Sequence, residues 1–170
     1  RVRQGVVKGN VARRVSSAGN PAYGQDKSAG CFYVDGGADL VFEQNLATRC
    51  DIGLELASEA AGKSTRQILV RNNLLHDLDV TGIATGGYDP GNGPGGGAAS
   101  DCVIVHNTIV NASVDGWADA AIVLQNRNIG NRYQNNIIIA SPGTSAIADY
   151  GEKNEGNVFS HNLYQGAFDG

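Results

Sequence analysis

The sequence contains no methionine, one tryptophan, four prolines and three cysteines, and aromatic residues make up only 6% of its 170 positions. Charged residues are scarce as well, at 18%. Each shortage closes off a class of protein. No apolar run approaches the roughly 20 residues a membrane-spanning helix requires, so no membrane association is expected. A net charge of −4 and a pI near 5.2 leave no cationic footprint for nucleic acid or an anionic membrane surface. Cys31, Cys50 and Cys102 form no metal-type C-x-x-C spacing, and an odd count allows at most one internal disulfide with a thiol left over. They are expected as small core residues or a single bridge. The opening "RVRQGVV" resembles no signal peptide, and with methionine absent the chain is expected to be a processed or truncated piece of something longer.

What the sequence has in quantity is glycine, 24 residues, and asparagine, 16 residues. Both tolerate a left-handed backbone and mark corners. Set among short Val/Ile/Leu runs, they favour an all-β chain with frequent bends. The length suits one well-buried core, and no linker divides residues 1–170, so a single domain is expected.

Six segments share one shape, a short β-type run that ends at an asparagine with apolar residues beyond it. They are "VVKGNVA", "LVFEQNLA", "ILVRNNLL", "VIVHNTIV", "RYQNNIII" and "VFSHNLY", which align Asn10, Asn45, Asn73, Asn107, Asn136 and Asn162. A second series lies between them: "GCFYVDGG", "GLELASE", "GIATGGYD", "AAIVLQN" and "AIADYG". Aligned, it places Cys31, Leu54, Ile83, Ile122 and Ile147 in one column and Tyr33, Leu56, Thr85, Leu124 and Asp149 in another. Side chains alternate across a strand, so these columns are the expected inward face. Matched short strands without helical periods predict a right-handed parallel β-helix of about six coils. Its asparagine column would satisfy bend groups that water cannot reach. His106 and His161 each precede a column asparagine, which gives them a turn-packing role; His76 has no such place.

Two nucleotide-like patterns are discounted. "ASEAAGKST", Ala57 to Thr65, matches a loose P-loop, yet "ILVRNN" begins another strand two residues after Thr65, leaving no helix to hold a phosphate. "GNGPGG", Gly91 to Gly96, lacks the strand-glycine-helix context and reads as a flexible excursion.

These features resemble the pectate-lyase-like superfamily of right-handed parallel β-helix proteins. Within it, "GNPAYG", "YVDGG", "GLELASE", "GIATGGYD" and "VIVHNTIV" look like a group of bacterial β-helix proteins, over nearly the whole chain. The resemblance implies an extracytoplasmic protein (secreted, periplasmic or on the cell surface) that acts on or binds a polysaccharide. Members are lyases, hydrolases, epimerases or noncatalytic surface modules. The R-x-P-x-x-R of pectate lyases is missing, as is the polygalacturonase set N-T-D, D-D, G-H-G and R-I-K. The D-P-H-D of mannuronan epimerases survives only as Asp89-Pro90, so no catalytic residue transfers by motif. Members also carry terminal caps that are not evident here. The open coil ends are expected to be covered by missing sequence or by partner chains, as in a homo-oligomer.

Candidate chemistry follows from the repeat alignment. Asp35 after "FYV", Glu59 after "LELA" and Asp89 after "TGG" fall at one end of the second strand series, on successive coils about 4.8 Å apart. Such carboxylates can act as acid and base on a glycosidic bond, can hold Ca²⁺, or can be a solvated strand edge. Lys63 and Arg66, directly after Glu59, are candidate bases for a lyase. Glu55, projecting outward between Phe32 and Ala84, continues the row with Tyr88, Gln125, Arg127 and Tyr150 as candidate substrate contacts. Trp117 near a corner is expected as partial core able to stack on a sugar ring.

Overall fold

The structure is a computed structural model that describes residues 2–88, 95–114 and 118–169. Its elements are all β-strands, and they form three sheets of nine, six and six strands. Sheet 1 holds Arg3–Lys8, Ala38–Glu43, Leu69–Arg71, Val103–Val105, Arg132–Gln134 and Val158–Ser160, with three short strands alongside at Ser64–Arg66, Ala98–Ser100 and Asn128–Ile129. Sheet 2 is built from Val11–Arg13, Leu46–Thr48, Leu74–Leu78, Thr108–Ala112, Ile137–Ala140 and Leu163–Gln165. Sheet 3 takes Gly30–Asp35, Ile52–Ala57, Thr81–Gly86, Ala120–Leu124, Ser145–Asp149 and Ala167–Asp169. The chain visits sheets 1, 2 and 3 in that cyclic order, and every pairing between these strands is parallel.

The asparagine series marks the bend from sheet 1 into sheet 2. Each side-chain amide donates to the carboxamide oxygen of the next asparagine: Asn10 to Asn45 at 3.1 Å, Asn45 to Asn73 at 3.0 Å, Asn73 to Asn107 at 2.9 Å, Asn107 to Asn136 at 3.1 Å and Asn136 to Asn162 at 3.0 Å. The same oxygens also accept the backbone N–H of the preceding asparagine. The residue before each asparagine is left-handed, with φ between 54° and 65° at Gly9, Gln44, Asn72, His106, Asn135 and His161. His106 and His161 are thus equivalent bend residues, as their repeat position predicts, and asparagine and histidine are among the side chains that tolerate this region best.

Apolar residues in register fill the interior. In sheet 2, Ala47, Leu75, Ile109 and Ile138 stack with no exposed surface. In sheet 1 the column runs Phe42, Val70, Ile104, Tyr133 and Phe159, the last two rings stacked at 4.5 Å. Fully burying a side chain of this size contributes about 1.5–3 kcal/mol, so the columns dominate the stabilisation. Gly53 is required where strands converge: a Cβ there would fall 2.6 Å from the Gly82 carbonyl oxygen.

The expected sheet 3 columns hold for four strands and slip by one residue in the first. Phe32, not Cys31, pairs with Leu54, and Val34, not Tyr33, pairs with Leu56. A one-residue shift moves every side chain to the other face. Phe32 and Val34 therefore point inward, and Tyr33 turns out to solvent at 43% exposure. Cys31 and Cys50 form a disulfide and Cys102 is a buried free thiol, which resolves the alternatives left open by the cysteine count. The P-loop-like stretch is a turn leading into the strand Ser64–Arg66, with the buried Thr65 hydroxyl accepting the Gly36 N–H at 2.8 Å.

Candidate active site

The outer face of sheet 3 carries a register column of Tyr33, Glu55, Ala84, Val123 and Ala148. Over the later strands this face is apolar and buried: Ala84, Val123 and Ala148 join Ile52, Val80 and Ala118 in a second apolar cluster, of which Ile52 and Val123 also line the groove. Over the earlier strands it opens into a groove of about 930 Å³, with Tyr33 and Glu55 among its lining residues. Glu55 therefore lies between Tyr33 and Ala84, where the unshifted alignment had Phe32 in place of Tyr33.

One wall comes from the excursion between sheets 2 and 3, which brings Tyr23 and Ser28 to the groove. Asp51 holds that excursion closed. Its Oδ2 accepts the Ser17 N–H at 2.8 Å, the Ala29 N–H at 3.0 Å and the Ser17 hydroxyl at 3.2 Å. Burial alone would raise this carboxyl, but the hydrogen bonds from Ser16, Ser17 and Ala29 outweigh it and hold it below the ordinary range. The Cys31–Cys50 bridge and a Lys27–Asp79 ion pair at 2.8 Å tie the same segment down. Ser58, Glu59, Tyr88, Gln125, Asn126 and Tyr150, each just beyond the end of a sheet 3 strand, complete the lining. The Tyr150 hydroxyl donates to the Ala118 carbonyl at 3.0 Å.

Three carboxylates meet at the open end. Tyr33 donates its phenolic hydrogen to Glu59 Oε1 at 3.0 Å, and the Glu59 N–H donates to Asp35 Oδ1 at 3.0 Å. Among the described residues no donor pairs with the Glu55 carboxylate. Burial, then the charges of Glu59 and Asp35, push its pKa up to about 7. Burial, the Glu55 charge and the bond to Glu59 likewise hold the Tyr33 phenol well above its ordinary range. A half-buried carboxylic acid that keeps its proton near neutrality, beside carboxylates that are exposed, is an arrangement suited to acid–base chemistry.

The sequence candidates divide accordingly. Glu55, Glu59, Tyr88, Gln125 and Tyr150 line the groove, and Asp35 borders it through Glu59. Lys63 and Arg127 do not; they line a separate depression beside Gly96 and Gly97, where the Arg127 guanidinium donates to the Gly96 carbonyl at 2.9 Å. The Ser58–Lys63 turn carries Lys63 out of sheet 3 towards sheet 1, and Gly97 pins that turn by donating its N–H to the Ser58 carbonyl at 2.6 Å. Arg66, the last residue of a sheet 1 strand, donates to the neighbouring Gln67 and does not line the groove either. No lysine or arginine among the described residues lines the groove. Asp89 and Trp117 lie outside the described residues. Of the trio expected for calcium, Asp35 and Glu59 are adjacent, and among the described residues no three His, Cys, Asp or Glu side chains are placed to hold an ion.

Sequence reasoning missed Tyr33, Tyr23 and Ser28. The signal for Tyr33 was available: in "CFYVD" the apolar pair Phe32 and Val34 alternates against Cys31, Tyr33 and Asp35. No local signal places Tyr23, which reaches the groove only because Asp51 folds its excursion back.

No family model and no solved structure matches the chain. Over 137 residues, 81% of its length, it is 36% identical to the Uncharacterized protein YwoF of Bacillus subtilis (strain 168). The chain spans 28% of the length of that relative.

Proposed function

We propose that the chain is a section of a right-handed parallel β-helix of the pectate-lyase-like kind, and that its groove binds and hydrolyses a polysaccharide. The cyclic order of three parallel sheets and the continuous asparagine column support the fold. The observation that carries the activity is Glu55, a carboxyl held near pKa 7 on a groove lined by tyrosines. Tyr23, Tyr33, Tyr88 and Tyr150 supply flat apolar faces with polar edges, which suit sugar rings.

In this reading Glu55 gives its proton to the glycosidic oxygen as the bond to the anomeric carbon breaks. Water adds to that carbon and yields its proton to Glu59, which Tyr33 holds in place. The groove has no basic side chain among the described residues to abstract a sugar proton, which favours hydrolysis over elimination. The Cys31–Cys50 disulfide supports a location outside the reducing cytoplasm, at the cell surface or beyond.

A second reading is favoured by one contact. Asp35 spends an oxygen on the Glu59 N–H, as a carboxylate that merely pins a turn would, and a noncatalytic glycan-binding module would keep the same groove. The test is a panel of neutral and acidic polysaccharides with Glu55→Gln as control. New reducing ends without new ultraviolet absorbance, lost in the variant, establish the hydrolase. A new ultraviolet-absorbing double bond would replace hydrolysis with elimination, and binding without turnover would leave the module.

A further inference from the structure

Sheet 2 carries another concave site, independent of the groove and of the activity read from it. Its strands Val11–Arg13, Leu46–Thr48 and Leu74–Leu78 place Arg13, Thr48 and His76 in register. The residues that follow, Arg14, Arg49 and Asp77, are all left-handed, with φ of 57°, 55° and 54°. The Arg14 N–H donates to the Thr48 carbonyl at 3.1 Å, and the Arg49 N–H to the Asp77 carbonyl at 2.9 Å. Two columns therefore rise side by side, and their six side chains line a depression of about 270 Å³.

Its charge is unbalanced. None of the three guanidinium groups belongs to an ion pair among the described residues. Asp77 is the one carboxylate lining the depression, and both of its oxygens are engaged: Oδ1 accepts from Asn111 Nδ2 at 2.7 Å, and Oδ2 lies 2.8 Å from His76 Nδ1. Arg14 and Arg49 occupy equivalent bends on neighbouring strands, which are about 4.8 Å apart. Like charges facing one another across strands are destabilising, and in a chain of net charge −4 nothing in the composition demands such a cluster. Three arginines, each able to present a planar fork of donors, line one small hollow together with Thr48, a donor set that suits a tetrahedral oxyanion.

We propose that this depression binds a tetrahedral oxyanion, the sulfate or phosphate group, either as the free ion or as an ester carried on a polymer. Arg14 and Arg49 clamp it from adjacent strands, and Arg13 supplies a third fork.

The test measures binding by calorimetry, with sodium sulfate, inorganic phosphate and dextran sulfate as probes against sodium chloride at matched ionic strength. The expected result is saturable binding that falls about tenfold or more in Arg14→Gln/Arg49→Gln and is unchanged in Arg132→Gln, an exposed arginine on sheet 1. Saturation by the small ions identifies the free ion as the ligand. Binding of dextran sulfate alone, with the same loss in the double variant, identifies the ester. The proposal is overturned if the double variant and Arg132→Gln weaken binding equally, or if Arg14→Lys/Arg49→Lys binds as tightly as the parent, since either result means diffuse attraction without a site. Responses to sulfate, phosphate and dextran sulfate that are all no larger than that to chloride overturn it as well.

Discussion

The Tyr33 hydroxyl and Glu59 Oε1 stand 3.0 Å apart although 26 residues separate them in the chain. The contact exists because Tyr33 faces outward on one strand and Glu59 follows the end of the next. Tyr33→Phe keeps the ring and removes only the donor, so Glu59 loses its orientation. Under the proposed hydrolase activity, the turnover number is expected to fall about tenfold to a hundredfold, with KM nearly unchanged. Full turnover in Tyr33→Phe with a loss in Tyr33→Ala would show that the ring, not the hydroxyl, matters.

The Glu55 carboxyl gives a pH dependence whose sign can be worked out. Its folded-state pKa, about 7, lies above the ordinary value of 4.5, so the native state binds the proton more tightly than the unfolded state. Stability is therefore lost as pH rises from 4.5 through 7 and does not recover above it. Glu55→Gln removes this loss. Relative to the parent, the variant is expected to gain up to about 3 kcal/mol between pH 4.5 and pH 8, read from urea unfolding at both values. Parallel stability curves for the two proteins would refute the assignment. In the same window the proposed hydrolysis is expected to decline as pH passes 7, because the acid form of Glu55 disappears.

Asn107 and Asn10 belong to one column but not to one environment. Asn107 is 1% exposed; its oxygen accepts two N–H groups from Asn73, and its amide donates to the Val70 carbonyl and to Asn136. Asn107→Ala strands several buried groups at once and is expected to cost about 3–5 kcal/mol. Asn10→Ala, in an exposed position, should cost under about 1 kcal/mol. Denaturant midpoints of the two variants measure the contrast.

Removal of the Cys31–Cys50 bridge acts on a closed segment of sequence separation 19. A stability loss of about 2–4 kcal/mol is expected for Cys31→Ser/Cys50→Ser. Because the bridge sits beside the Asp51 clamp, hydrogen exchange should accelerate most at Ser17 to Ala29. Uniform acceleration across sheets 1 and 2 would contradict a local role.

The sequence disclosed the repeated parts of this molecule and concealed the single ones. The asparagine column was legible because six copies of one bend impose the same demand, and the inner columns at Leu54, Ile83 and Ile122 were legible for the same reason. Strand Gly30–Asp35 lies one position from its expected register because Cys31 is as apolar as Phe32, and only the alternation of Phe32 and Val34 against Tyr33 and Asp35 tells the two registers apart. Glu55 and Glu59 were within reach, since both sit at repeat positions. Lys63 was not: whether a residue in a turn returns to the sheet it left depends on how Gly97 packs against Ser58, a contact between segments nearly forty positions apart. The three arginines of sheet 2 carry no motif at all. Only the register of their strands brings them together.

The asparagine column has one more property. Every link repeats the same donor-to-acceptor sense, from Asn10 through to Asn162, so the column has a direction but no preferred length. An evolving gene can gain or lose a whole circuit without altering the chemistry of those that remain, whereas a gain of half a circuit would face an amide with a strand. Size in such a protein therefore changes in quanta, and the intervals of 26 to 35 residues between links leave the outer loops free to vary within each quantum.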